Sequence, residues 1–276
     1  MKSGISENLI NDIYRRKDEG YIIVHGGGPA VTELCGRLGM DARFVTSPEG
    51  IRSRYTDAET MSAYLMAMRG SVNASIVLAL QRAGLKSFGM SGIDGPTIMA
   101  ERKKRLITIN EKGRRMFIDG GYTGRILSVD ATMILHLLEE NMIPVIAPIA
   151  VGLEHESLNV DGDRAASAIA REVKASRMIM LTDVDGILSD GRIVDRLDID
   201  QAREILKRIG NGMDKKIISA MESIEAGTPE VIIANGNGER PLTDAINNRR
   251  TKFGWSLQTI SFYKYLFSLV SYPKQW

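Results

Sequence analysis

The chain has 276 residues, 43% hydrophobic, 25% charged and 6% aromatic, a balance typical of a globular enzyme with one large α/β domain or two fused lobes. A single cysteine, Cys35, excludes an internal disulfide framework and a multi-cysteine metal site, and His25, His136 and His155 show no metal-ligand spacing. The net charge of +2 belongs to the tail: residues 251–276 carry three lysines and no acid, and the rest has 33 basic against 34 acidic residues, which removes the main support for nucleic-acid binding.

No basic segment followed by an apolar run opens the chain, and no apolar stretch approaches the ~20 residues that span a bilayer. A cytoplasmic protein without membrane contact is expected. The elements then alternate along the chain. Apolar Ile5, Leu9, Ile10 and Ile13 predict a helix over Ser6 to Glu19, closed by Gly20. Tyr21 to Val24 is a short apolar run suited to a buried parallel strand. His25-Gly26-Gly27-Gly28-Pro29 turns the chain into a helix over Ala30 to Leu38. Consecutive glycines at a helix start either let amides cradle an anion or simply make a tight turn, and the pattern is neither G-x-G-x-x-G nor a Walker loop.

Arg54 stands before a helical stretch over Thr56 to Ala83, with Thr56 as its candidate N-cap. It is either a carboxylate-binding fork or a surface arginine beside a cap. Leu106 to Asn110 and Arg115 to Asp119 alternate as a hairpin, and helix Asp130 to Asn141 and strand Pro144 to Pro148 follow. Asn159-Val160-Asp161-Gly162-Asp163 is a turn with Asp163 as candidate cap, or a site for orienting lysines or Mg²⁺. Helix Asp163 to Val173 and strand Arg177 to Leu181 lead into Thr182-Asp183-Val184-Asp185-Gly186, a strand-end turn or a nucleotide-facing loop. Gly212-Met213-Asp214-Lys215-Lys216 opens a further helix, and a strand over Val231 to Ala234 ends in Asn235-Gly236. Lysine is disfavoured at a helix start, which makes a ligand-facing role for Lys216 more attractive. Such alternation predicts a mainly parallel sheet covered by helices on both faces, with ligands at the carboxyl ends of the strands.

Taken in order, these motifs resemble the acetylglutamate-kinase type of the amino-acid kinase (carbamate kinase-like) family, over about Ile5 to Asn248. Ser47-Pro48-Glu49-Gly50-Ile51-Arg52-Ser53-Arg54-Tyr55-Thr56-Asp57 and Gly120-Gly121-Tyr122-Thr123-Gly124 are similar to the archaeal branch that phosphorylates aminoadipate or glutamate held on an acidic amino-group carrier protein, LysW. The resemblance implies a three-layer αβα sandwich over residues 1–250, with a substrate lobe at about 1–150 and a nucleotide lobe at about 151–250. It implies that Gly27 and Gly28 hold the transferring phosphoryl and substrate carboxylate, that Arg54 and Asn159 grip the rest of the substrate, and that Lys216 and Asp163 are catalytic. Thr182, Asp183, Gly186, Gly212 and Met213 would line the ATP site, with Mg²⁺ arriving on the nucleotide. A homodimer is also implied.

The basic cluster Arg102, Lys103, Lys104, Arg105, Lys112, Arg114 and Arg115 is either a solvated hairpin or the carrier's docking surface, with Arg43 and Arg52 as candidate extensions. Two departures from the family stand out. Its first strand, ending in Lys-x-Gly-Gly, has no counterpart in Met1-Lys2-Ser3-Gly4, and loss of such a lysine implies turnover reduced by about 10²–10³. From Arg249-Arg250 the pattern gives way to residues 251–276, an atypical tail with 8 of the 16 aromatics and no visible strand–helix rhythm. Free N-acetylglutamate phosphorylation and an inactive metabolite- or partner-binding subunit are the alternatives.

Overall fold

The computed structural model describes residues 5–48, 50, 52–110, 113–189, 192–207, 213–247, 250–254 and 266–270. Its main sheet has eight strands: β1 (Tyr21–His25), β2 (Ser87–Ser91), β3 (Ile143–Ala147), β4 (Arg177–Thr182), β5 (Arg196–Leu197), β6 (Glu230–Asn235), β7 (Arg250–Gly254) and β8 (Leu266–Val270). Their order is β5-β7-β6-β4-β8-β1-β3-β2. From β6 to β2 neighbouring strands are parallel, and β7 pairs antiparallel with β6.

Period-two alternation sorts the side chains onto two faces. Ile22 and Val24 of β1, Met178 and Met180 of β4, and Val231 and Ile233 of β6 share one core cluster. That cluster includes residues of α5 (Thr132–Glu139), α6 (Gly162–Glu172), α7 (Ile199–Leu206) and α8 (Met213–Glu225). Tyr21, Ile23, Ile179, Leu181, Ile232 and Ala234 face the opposite way, against α1 (Glu7–Arg15), α4 (Asn73–Arg82) and α9 (Pro241–Asn247). A third cluster packs α2 (Gly28–Arg37) and α3 (Ala58–Leu65) around Val31, Cys35, Met61 and Met68. The result is the expected three-layer αβα sandwich.

The chain ends behave differently from expectation. β7 continues the sheet beyond Arg249, and β8 lies between β1 and β4, with Tyr21 opposite Leu266 and Arg177 opposite the same residue on the other side. The central position is therefore filled from the far end of the chain. Leu266-Phe267-Ser268-Leu269-Val270 is mostly apolar, as a strand with neighbours on both sides requires, and the aromatic bias of the tail concealed it.

Local corrections have equally local causes. α1 stops at Arg15, short of Glu19, and its cap Ser6 accepts from the Leu9 amide. Asp57, not Thr56, caps α3 by accepting from the Thr60 amide at 2.9 Å, because Asp57 holds the extended backbone that an N-cap needs. Asp161, not Asp163, caps α6 for the same reason. Helix Ala58–Arg82 is unbroken at Gly70, because the backbone widens there into a π-helical stretch over Met66–Val72. Those 25 residues are long and apolar enough to cross a membrane, contrary to expectation, but Met61, Ala67, Met68, Ile76 and Leu80 are buried in the protein's own cores.

One buried acid ties the first helix to the last. Asp12, fully buried in α1, accepts from the amides of Leu242 and Thr243, both at 2.8 Å, and from the Thr243 hydroxyl at 2.7 Å. It thereby caps the start of α9 across some 230 residues of sequence.

Candidate active site

A helix that precedes a parallel strand runs antiparallel to it, so its N-terminus lies at the carboxyl edge of the sheet. The turn after β1, the starts of α6 and α8, and the loops after β4 and β6 are all delivered to that edge.

The β1 turn is built around close backbone approach. Gly27 is the N-cap of α2, and a Cβ on it would lie 2.5 Å from the Met68 sulfur of the π-helical stretch, so glycine lets the turn sit against that helix. Among the described residues no hydrogen bond uses the Gly27 amide as donor. Gly28 opens α2, and its carbonyl accepts from the Thr32 hydroxyl and from Arg54 Nη2 at 3.0 Å. Arg54 Nη2 also donates to Thr32 Oγ1 at 2.6 Å. The other terminal nitrogen, Nη1, is buried without a partner. Burial lowers the Arg54 pKa from its ordinary value, and among the described residues no carboxylate pairs with it. The guanidinium also lies over the Phe44 ring, 4.9 Å from its centroid, so Arg54 is a half-buried cation beside the start of α2 with one terminal nitrogen unbonded.

Asn159 comes to the same place. Its Nδ2 donates to Thr56 Oγ1 at 3.0 Å, its amide donates to the Tyr122 carbonyl at 2.8 Å, and the Tyr122 amide donates to the Thr56 carbonyl at 2.7 Å. Arg54 and Asn159 are thus two chain positions and one hydrogen bond apart. Asp163 follows in the first turn of α6 and Lys216 in the first turn of α8, both half-buried. Arg164 fastens those helices together with a two-pronged pair to Glu222, at 3.1 and 2.9 Å.

The loop after β4 is braced by its neighbours. Thr182 donates its hydroxyl to Asp183, the Gly236 amide donates to the Thr182 carbonyl, and Asn235 Nδ2 donates to Asp185 at 2.8 Å. Just past Gly186, the Ile187 amide donates to the hydroxyl of buried Thr251, on β7, at 2.8 Å. Met213 begins α8, and Gly212 lies outside the described residues.

Thr32, Thr251 and the pair His25 and Asn73 make contacts around these turns that the sequence reading does not anticipate, and Thr56 stands there only as a candidate cap. Only Thr32, four residues past Gly28 on the same helix face, carried a local signal. Lys103 belongs to the basic run expected at the surface, yet it is half-buried. Desolvation pulls its pKa below the ordinary lysine value and nearby Arg164 adds to this, while attraction to Asp161 opposes it. Arg102 is likewise occupied, donating to the Gly121 carbonyl at 2.6 Å and lying over the Tyr122 ring. Lys104, Arg105, Arg114 and Arg115 are exposed, and Lys112 lies outside the described residues. No group of three His, Cys, Asp or Glu side chains converges among the described residues.

Comparison with known proteins finds similar kinases. A putative LysW-aminoadipate/LysW-glutamate kinase of Nitrosopumilus maritimus is 48% identical over 232 residues, covering 84% of this chain and 87% of the relative. A LysW-aminoadipate/LysW-glutamate kinase of Saccharolobus solfataricus is 44% identical over 241 residues, covering 87% of this chain and 90% of that protein. A solved structure of carbamate kinase from Giardia lamblia shares the fold with a TM-score of 0.62 at 13% identity, over 89% of this chain and 88% of that one. The model of the amino acid kinase family matches residues 3–235, and the chain belongs to that family.

Proposed function

We propose that this kinase transfers the γ-phosphoryl group of ATP to the side-chain carboxylate of aminoadipate or glutamate presented by an acidic amino-group carrier protein. The observation that carries this reading is the buried, idle Nη1 of Arg54 beside the Gly28 turn. The names of the relatives supply the substrate class. A carboxylate is ionised at neutral pH and needs no general base. One of its oxygens attacks the γ-phosphorus in line, the bond to the β–γ bridging oxygen breaks, and acyl phosphate and ADP result. Catalysis then rests on positioning and charge neutralisation.

In this reading the amides of Gly27 and Gly28 meet the transferring phosphoryl group, and Arg54 and Asn159 hold the rest of the acceptor. Lys216 stabilises the charge that builds toward the leaving phosphate, and Asp163 orients it. Thr182, Asp183, Gly186, Gly212 and Met213 border the nucleotide. The substrate lobe is the part up to about residue 150, and the nucleotide lobe is the part beyond it. Mg²⁺ enters with the phosphates of ATP, a mode of binding that needs few protein ligands. The enzyme works as a homodimer in the cytoplasm.

The carrier docks on the hairpin Arg105–Ile109/Arg115–Asp119. Ile107 and Phe117 are directly opposed across it and exposed at 46% and 69%, and Arg105 and Arg115 stand on the same face, with the acid Asp119 opposite Arg105. An exposed apolar pair with two cations and one acid around it, a net positive face continued by exposed Lys104 and Arg114 nearby, suits an acidic protein with an apolar anchor.

Arg54→Ala tests the site. It should lower kcat/KM for the carboxylate acceptor by about 10²-fold or more and leave the KM for ATP within about threefold. Arg54→Lys should restore only part, because an ammonium cannot make the forked contact. A variant with normal acceptor kinetics and a raised KM for ATP would move Arg54 to the nucleotide side and end this reading.

A further inference from the structure

His25 closes β1 and is completely buried, directly before the glycine turn. Its ring makes two contacts. Nδ1 lies 3.0 Å from the Gly26 carbonyl, and Nε2 lies 3.0 Å from Nδ2 of Asn73. Asn73 is also fully buried, and the same Nδ2 lies 2.9 Å from the Val145 carbonyl and 3.3 Å from the Met90 carbonyl. The two carbonyls set which way the carboxamide faces, since Oδ1 there would oppose both; the two Nδ2 hydrogens are shared among three neighbours, and Oδ1 is buried without a partner. Oδ1 points instead at Gly89, where an added Cβ would lie 2.2 Å away. One side chain thus ties together the carboxyl ends of β1, β2 and β3 at the start of α4.

The Gly26 carbonyl can only accept, so the ring proton sits on Nδ1; Asn73 Nδ2 offers no lone pair to an Nε2–H, which leaves Nε2 as the unprotonated nitrogen. Burial holds the ring neutral in agreement with this, its pKa lowered to about 4. Nδ1–H then donates to the Gly26 carbonyl and draws it toward the core. In a trans peptide the carbonyl and the next N–H point in opposite directions, and the chain contains no cis bond. Fixing the Gly26 carbonyl inward therefore turns the Gly27 N–H outward, toward the open side of the turn.

We propose that His25, held in its Nδ1–H tautomer by Asn73, is a positioning residue that aims the Gly27 amide at the transferring phosphoryl group. The proposal rests on the reading that this turn receives that group. It assigns to a wholly buried pair, which touches no substrate, control over how well the site fits the transition state rather than ATP itself. An amide already aimed costs no reorganisation when charge develops.

The test compares His25→Asn with His25→Gln. Asparagine places an N–H near the Nδ1 position and keeps the donor, whereas glutamine places its amide near Nε2 and loses that donor. Calorimetry would measure binding of Mg-ADP alone and of Mg-ADP with aluminium fluoride, a mimic of the phosphoryl in flight. His25→Asn should bind the mimic within about threefold of the parent, while His25→Gln should bind it about 10²-fold more weakly. ADP affinity should stay level in both variants. Equal loss in the two, or no loss in either, would overturn the proposal and leave His25 as packing. A parent chain that binds ADP but not the mimic would overturn the phosphoryl reading itself. Should His25→Gln fail to fold, His25→Leu serves, since it also removes the Nδ1 donor: mimic binding should weaken by about 10²-fold at level ADP affinity. Unchanged mimic binding, or an equal loss of ADP affinity, contradicts the proposal.

Discussion

The two halves of the sheet's carboxyl edge are built on different plans. On the β1, β2 and β3 side, polar groups are held from within: Asn73 and His25 are fully buried, and Arg54 is bonded to Gly28 and Thr32 before any ligand arrives. On the β4 and β6 side, Asp183 and Asp185 are exposed, and the loop is steadied by single hydrogen bonds from Asn235 and Gly236 and by one to Thr251. The difference is instructive. The half assigned to the reacting charges is pre-formed around a buried polar hub, so that its donors need no rearrangement. The half proposed for the nucleotide carries its acids in loops at the surface, held by fewer buried polar contacts. β8 is the seam between them, paired to β1 on one side and β4 on the other.

Cutting that seam should have the largest effect. Removing residues 255–276 takes away β8 and leaves the inner edges of β1 and β4 unpaired. Unpaired buried backbone is costly enough to exceed the whole stability of a domain, about 5–15 kcal/mol. The truncated chain should lose its cooperative thermal transition. A cooperative melt within a few degrees of the parent would show that β8 is dispensable and the halves are joined otherwise.

Acid should weaken the first half through His25. Its folded pKa of about 4 is below the ordinary value near 6.5, so between those limits the unfolded chain binds a proton that the folded chain refuses. The stability from this group is complete above pH 6.5 and falls by about 3 kcal/mol as the pH drops toward 4. Urea unfolding at pH 7 and pH 4.5 should therefore show a larger loss for the parent than for His25→Asn, which lacks the titrating ring. Parallel losses would mean that the ring already takes up a proton in the fold.

The second half should respond least. Thr251→Val leaves the Ile187 amide buried without its acceptor and should cost about 1.5 kcal/mol. Because the bond steadies the loop beyond Gly186, the KM for ATP should rise several-fold while kcat for the acceptor holds. A fall in kcat with constant KM would show that the two halves are coupled more tightly than their construction suggests.

The sequence was informative where the signal was local. The apolar run before His25-Gly26-Gly27-Gly28, the alternation of the basic hairpin and the helix after Asp161 all depend on neighbours a few residues apart, and the structure contains each. What escaped depends on contacts made at a distance. Asn73 meets His25 across 48 positions, Asp12 meets Leu242 across 230, and β8 finds a slot that only the assembled sheet defines. Caps were misplaced by one or two residues, because Thr56 and Asp57, like Asp161 and Asp163, offer the same chemistry and only backbone conformation chooses between them. The run Arg102 to Arg105 looked uniform as charge, yet the fold divides it into an occupied half, Arg102 and Lys103, and an exposed half, Lys104 and Arg105.

The central claim is that the acceptor is a carboxylate carried on an acidic protein. It is tested most directly by trapping the acyl phosphate with hydroxylamine, using ATP and either carrier-linked aminoadipate or glutamate, or free N-acetylglutamate. The account predicts hydroxamate from the carrier-linked acceptor at a rate that falls as salt screens the hairpin cations, and little from the free one. Hydroxamate formed equally well or better from N-acetylglutamate, with no dependence on the carrier, would contradict it.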